Sequence, residues 1–254
     1  MSALLEVKGL RKAFSGVHAV DGLSFAIQPN TITGIIGPNG SGKSTMIDCI
    51  SGFQASDAGQ VIFDGTDITN RKAYQIARAG LLRTFQTVQV YDDMSLRQNL
   101  IQANQPFDDA NWLDDFFRTR KYREARDYAG ERADGLLKLI GLTRYSDAPA
   151  AVLSYGQKKL LALAAALMPK PRMVVLDEPV AGVNPSRIRE VEEVILQLHA
   201  QGETFVIVEH NVDFIMRLSS RVLVLTGGQL LVEGEPKMVR NDPRVLEAYL
   251  GIRA

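Results

Sequence analysis

Cysteine, histidine and tryptophan are scarce in this chain of 254 residues. The one cysteine, Cys49, can form no disulfide within the chain, which points to an intracellular setting. His18, His199 and His210 are scattered, so no Cys/His zinc site is expected. Net charge is missing as well. The 29 Lys plus Arg balance the 29 Asp plus Glu, which argues against a chain whose main work is binding nucleic acid. Long apolar runs are absent too. Leu160–Met168 falls short of the ~20 residues a membrane span needs and reads as part of a buried helix. The opening MSALLEVKGLRKAF has no apolar stretch of the kind a signal peptide carries. Neither an internal repeat nor a low-complexity linker occurs. What remains is an ordinary globular composition, 46% apolar and 23% charged. The length suits one to two domains.

Short apolar runs at Leu4–Val7, Leu23–Ile27, Ile32–Ile36, Gln60–Phe63, Met173–Leu176, Thr204–Val208 and Val222–Leu225 read as strands. Helical periodicity marks Lys43–Ile50, Ser186–Ala200 and Val212–Leu218. Strands rich in Val, Ile and Leu that alternate with helices imply an α/β fold with a mostly parallel sheet covered on both faces. The N-terminal strands look antiparallel and would sit beside that sheet. Between Val88 and Met168 the pattern changes. Ser95–Ala103, Tyr122–Ile140 and Tyr155–Met168 read helical, and no strand is convincing. This predicts a helical subdomain, 88–168, inserted into a core of 1–87 and 169–254. Within it, Asp108–Arg126 sets Trp112, Phe116 and Phe117 beside Arg118, Arg120, Lys121 and Arg123. That segment reads either as a partner surface or as a small local core.

Two motifs carry chemistry. Gly37, Pro38, Asn39, Gly40, Ser41, Gly42, Lys43, Ser44 and Thr45 fit the pattern G-x-x-x-x-G-K-[ST] between a strand and a helix. Glycines there let backbone N–H groups turn toward phosphate oxygens, and the helix start adds its positive end. Lys43 would reach the β- and γ-phosphates of a nucleotide, and Ser44 would ligate Mg²⁺. A lysine in that role is expected to be solvent-accessible. The second motif is the run from Met173 to Asp177, Glu178 and Pro179, an apolar strand ending in carboxylates. Such a strand places Asp177 at the carboxyl edge of the sheet, where it would hold Mg²⁺. Glu178 would then polarise an attacking water as general base.

Leu153, Ser154, Tyr155, Gly156 and Gln157 resemble the signature LSGGQ of the ATP-binding-cassette (ABC) ATPases, with Tyr155 in place of the first glycine. Further landmarks of that family follow in order. The resemblance implies that Phe14 stacks on adenine, that Gln86 contacts the Mg²⁺ and γ-phosphate shell, and that His210 contacts the γ-phosphate. Asn184 stands in the D-loop position where many relatives carry Asp. The resemblance also implies that Ser154, Tyr155, Gly156 and Gln157 serve a nucleotide held by another subunit. ATP would thus be sandwiched between two protomers. Ser154 reads as a helix start, so its hydroxyl, nearby N–H groups and the helix dipole could form that second phosphate site.

The stretches Ala79–Gln86, Leu153–Gln157, Asp177–Pro185 and Ala248–Gly251 are similar to those of ATP-binding subunits of branched-chain amino acid importers. That resemblance implies a peripheral subunit on the cytoplasmic face of the plasma membrane. Its partners would be a second ABC ATPase subunit, polytopic permease subunits and, indirectly, an extracytoplasmic solute-binding protein. ATPases of urea and lipopolysaccharide transport share the pattern. An ABC ATPase acting on nucleic acid is the alternative from a different class. Zero net charge, one cassette and the lack of sustained heptads weigh against it.

Overall fold

The computed structural model describes residues 2–84, 88–104 and 120–250. The strands are β1 (Leu5–Phe14), β2 (Val17–Ile27), β3 (Ile32–Ile36), β4 (Ala58–Phe63), β5 (Thr66–Asp67), β6 (Leu81–Arg83), β7 (Met173–Asp177), β8 (Phe205–Val208), β9 (Arg221–Thr226) and β10 (Gln229–Gly234). The helices are α1 (Lys43–Ile50), α2 (Ala73–Arg78), α3 (Leu96–Asn104), α4 (Arg120–Leu139), α5 (Tyr155–Leu167), α6 (Ile188–Ala200), α7 (Val212–Leu218), α8 (Pro236–Arg240) and α9 (Pro243–Leu250). Two compact units result. One comprises Met1–Arg83, Arg172–Pro179 and Ile195–Ala254; the other comprises Thr84–Pro171 and Val180–Val194.

The first unit holds both sheets. The antiparallel one runs β2-β1-β4-β5, and the mostly parallel one runs β10-β9-β3-β8-β7-β6. In the second sheet β9, β3, β8, β7 and β6 are parallel, and β10 returns antiparallel to β9 at the edge. Every residue of β3, β7 and β8 is buried, as expected of strands covered on both faces. Val7, Phe25 and Phe63 of the antiparallel sheet share one core with Ile35, Val175, Val206 and Leu223 of the parallel sheet. α1 adds Met46, Ile47 and Ile50 to that core.

β1 and β2 run well past the apolar stretches that announce them. Ser15 (φ 47°) and Gly16 (φ 85°) close a tight two-residue hairpin. Register shifts between Val7 and Leu10, Leu10 and Arg11, and Lys12 and Ala13 interrupt the alternation. The polar half of the hairpin therefore carries no clear period-two signal.

The second unit, so far as described, is built from helices. On α4 and just beyond it, Ala129, Ala133, Leu136, Leu137 and Ile140 are buried at helical spacing. Leu96 and Leu100 of α3 and Leu160, Leu161 and Ala164 of α5 are buried as well. Of the segment Asp108–Arg126, residues 108–119 lie outside the described residues.

The last carbonyls of α5 have no partner within their own helix. Arg132 of α4 supplies donors, from Nε to the carbonyl of Met168 at 2.7 Å and from Nη2 to that of Leu167. Replacing Arg132 with Ala should cost about 2 kcal/mol, since hydrogen bonds to charged groups contribute more than neutral ones. Urea denaturation followed by circular dichroism measures this. A loss under about 0.5 kcal/mol, the range of ordinary surface substitutions, would mean that other donors, water and the Lys170 N–H already at the Leu167 carbonyl (3.1 Å), serve those carbonyls equally well.

Candidate functional site

Parallel pairing fixes where the chemistry gathers. Ile35 of β3 pairs with Val208 of β8, and Val208 pairs with Asp177 of β7. The carboxyl ends of three neighbouring strands thus lie side by side, ~4.8 Å apart from one to the next. The Gly37–Lys43 loop leaves the end of β3, Glu209 and His210 leave β8, and Asp177 closes β7 just before Glu178. This is the edge at which open α/β sheets bind ligands.

The loop after β3 is wound tightly. Gly42 takes φ 94° and caps the N-terminus of α1 without any side-chain bond. A Cβ on Gly42 would lie 2.2 Å from the carbonyl oxygen of Ala19, so backbone from β2 presses directly on the loop. Gly40 also has positive φ, 78°, but a Cβ there would meet nothing within 4 Å. Lys43 is the first residue of α1 and is only 5% exposed. The expectation of an accessible lysine is therefore corrected. Its ammonium folds back into the loop, donating to the carbonyls of Gly37 at 2.8 Å and Pro38 at 3.0 Å, with Ser41 Oγ at 3.3 Å. Burial lowers its pKa below the ordinary lysine value, and the negative charge of Glu178 works in the opposite direction. A buried ammonium held by two loop carbonyls, next to the start of α1, suits phosphate oxygens. Ser44 is exposed in the first turn of α1, so its hydroxyl is available to a ligand.

Asp177 is 9% exposed, and its Oδ2 accepts a 2.8 Å bond from Nη2 of Arg83. Glu178 has φ 49°, an uncommon backbone conformation for this residue type, and its N–H is held by the carbonyl of Val208 at 2.9 Å. Its Oε1 lies 3.0 Å from Nε2 of His210. The buried Glu209 accepts from the N–H groups of His210 at 3.0 Å and Asn211 at 3.2 Å, which fixes the turn that presents His210. A hydroxyl from Ser44 and the carboxylate of Asp177 are hard oxygen donors. They suit Mg²⁺, which takes few protein ligands and completes its shell with water and phosphate.

Two contributors escaped the sequence reading. Arg83 was visible only as part of a motif string, and its ion pairs span distant positions. Tyr249 stood only in the Ala248–Gly251 stretch. In the structure burial pushes its phenol up to about 12, and the backbone of Gly37 works in the opposite direction. Phe14 is 46% exposed at the end of β1, with the ammonium of Lys12 5.3 Å from its ring centre.

The helical unit carries the remaining candidates. Ser154 is the N-cap of α5 in a capping box: its Oγ accepts from the N–H of Gln157 at 3.4 Å, and Gln157 Oε1 accepts from the N–H of Ser154 at 3.0 Å. The ring of Tyr155 packs where a Cβ on Gly182 would sit, 3.0 Å from its Cε1, so a bulky residue at this position is matched by a glycine. Val183 lies close to Gly156, leaving 3.3 Å to a Cβ built there. Asn184 Oδ1 accepts from the N–H of Ser186 at 3.0 Å and from its hydroxyl at 2.9 Å. Gln86 lies outside the described residues.

Residues 20–181 match the family model described as ABC transporter, and residues 229–254 match that described as branched-chain amino acid ATP-binding cassette transporter. The high-affinity branched-chain amino acid transport ATP-binding protein BraF of Pseudomonas aeruginosa is 34% identical over 98% of both chains. The probable branched-chain amino acid transport ATP-binding protein LivG of Methanocaldococcus jannaschii is 37% identical over 98% of this chain and 97% of its own. Among solved structures, an ATP-binding cassette of an ABC transporter in its ADP conformation superposes with a TM-score of 0.86 at 36% identity. It covers 99% of this chain and 100% of its own. A nucleotide-free cassette gives 0.84 at 35% identity, with the same coverage.

The contrast between Gly42 and Gly40 can be measured. Gly40→Ala should cost about 1 kcal/mol, from the left-handed backbone alone. Gly42→Ala adds a clash with backbone and should cost at least about 1–3 kcal/mol more. Equal losses in chemical denaturation would show that β2 does not constrain the loop.

Proposed function

The chain belongs to the ABC transporter family as an ATP-binding ATPase subunit, and on that premise we propose that it energises uptake of branched-chain or related amino acids through separate membrane permease subunits. One observation carries the catalytic part. A single sheet edge brings together Lys43, Asp177, Glu178 and His210, with Glu178 and His210 3.0 Å apart. The amino acid substrate rests on the two branched-chain relatives and on the C-terminal match.

In this reading the Gly37–Thr45 loop wraps the phosphates, and the Lys43 ammonium exchanges loop carbonyls for phosphate oxygens. Phe14 offers its exposed ring to adenine. Ser44, Asp177 and Gln86 would hold Mg²⁺, which would neutralise phosphate charge. Glu178 takes a proton from the attacking water, and His210 steadies that carboxylate from one side. Ser154, Tyr155, Gly156 and Gln157, with Asn184, serve the nucleotide of a second ATPase subunit, so that ATP joins the two chains. No described helix is long and apolar enough to cross a membrane. The subunit would work at the cytoplasmic face, docked on the permease, with an extracytoplasmic solute-binding protein delivering the amino acid from the far side.

Glu178→Gln keeps the shape of the side chain and loses the base. Turnover should fall 10²–10⁴-fold, roughly 3–5 kcal/mol of barrier, while MgATP still binds. Because bound ATP persists, this variant should run as a dimer in size-exclusion chromatography with MgATP. Adding Ser154→Arg should return it to monomers that still bind nucleotide. Where the native pair is two different ATPase subunits, the lesions are divided between them. Turnover within about twofold of wild type would remove Glu178 from the role of base. A dimer indifferent to Ser154→Arg would remove the signature from the shared site.

A further inference from the structure

Arg83 lies at the end of β6, where it pairs with Val175 of β7. Its side chain is 9% exposed. Two different nitrogens reach two different elements. Nη1 donates to Oδ1 of Asp48 on α1 at 2.5 Å and approaches Oγ of Ser51 at 3.3 Å. Nη2 donates to Oδ2 of Asp177 at the end of β7 at 2.8 Å. The guanidinium sits 5.7 Å from the ring centre of Phe53, which helps to fix its plane.

Asp48 follows Ser44 by four positions on α1, so the two share a helix face. One planar cation therefore ties the helix face that carries Ser44 to the strand end that carries Asp177. We infer that Arg83 is a positioning residue that sets the spacing between Ser44 and Asp177, two of the groups proposed to hold Mg²⁺. This rests on the nucleotide-site reading above and goes beyond it by naming what holds those two groups apart at a fixed distance. The two-headed fork matters, because a guanidinium can hold two carboxylates in one plane while an ammonium is a single point of charge. Lysine at this position keeps the charge and loses the bridge.

Mn²⁺, titrated against protein saturated with ADP and followed by electron paramagnetic resonance, reads the spacing directly. Loss of a residue that orients a metal ligand costs 10–100-fold in metal affinity as a rule, so Arg83→Lys should bind Mn²⁺ about tenfold more weakly. Its affinity for ADP in EDTA should stay at the wild-type level, because Arg83 is not proposed to touch the nucleotide. Asp48→Asn alters a partly exposed side chain and should weaken Mn²⁺ in the same direction by a smaller factor. Combined with Arg83→Lys it should add less than its separate effect, since both cut one bridge. Mn²⁺ affinity within about twofold of wild type in Arg83→Lys overturns the inference. So does an equal fall in metal-free ADP affinity, which is general damage. If Arg83→Lys fails to fold by circular dichroism, Asp48→Asn decides, and wild-type Mn²⁺ affinity there overturns it. A wild-type protein that binds no ADP in EDTA would sink the nucleotide-site reading and this inference with it.

Discussion

Parallel pairing of β3, β8 and β7 is the constraint on which the rest of the site depends. A one-residue shift in register would exchange the two faces of a strand and displace Asp177 along the sheet edge relative to the loop after β3. The loop after β3, the turn after β8 and the carboxylates after β7 are sequence-distant, yet they emerge side by side. β2 completes the arrangement from the antiparallel sheet, because the carbonyl of Ala19 leaves no room for a side chain at Gly42.

Charge is concentrated at that edge, and each buried charge has a stated partner. Lys43 is held by loop carbonyls, Asp177 by Arg83, and Glu209 by two backbone N–H groups. Burying an ion without such partners would cost several kcal/mol or more. The same economy explains the chemistry that follows. The Lys43 ammonium is already desolvated within its loop, so on the proposed reading exchanging carbonyl oxygens for phosphate oxygens would add little further dehydration. Glu178 and His210, by contrast, are partly open to solvent, which suits the proposal that they act on water.

Much of this was legible in the sequence, for physical reasons. The continuous apolar run Met173–Leu176 and the isoleucine-rich stretch Ile32–Ile36 are short and bounded by turn residues, which marks them as buried strands, and the loop motif has few other uses. The polar half of the β1–β2 hairpin was not legible, because bulges at Leu10 and Lys12 spoil the alternation. β6 is three residues long and has no period to detect. The buried state of Lys43 was read the wrong way round, since sequence speaks of what a lysine does to a ligand and not of which carbonyls it meets. Arg83 reaches Asp48 and Asp177 across 35 and 94 positions, a pairing that exists only after the sheet has formed. The capping roles of Gln157 and Asn184 are local and could have been anticipated from the spacing of Ser154 to Gln157 and of Asn184 to Ser186.

The account stands on Lys43 as the charge that receives phosphate. Isothermal titration of MgATP into the wild-type chain and into Lys43→Ala tests it most directly, with circular dichroism as the check on folding. Binding by the wild type and a loss of more than about tenfold in the variant, over 1.4 kcal/mol, is the expected result. Near wild-type affinity in a folded Lys43→Ala protein would contradict it.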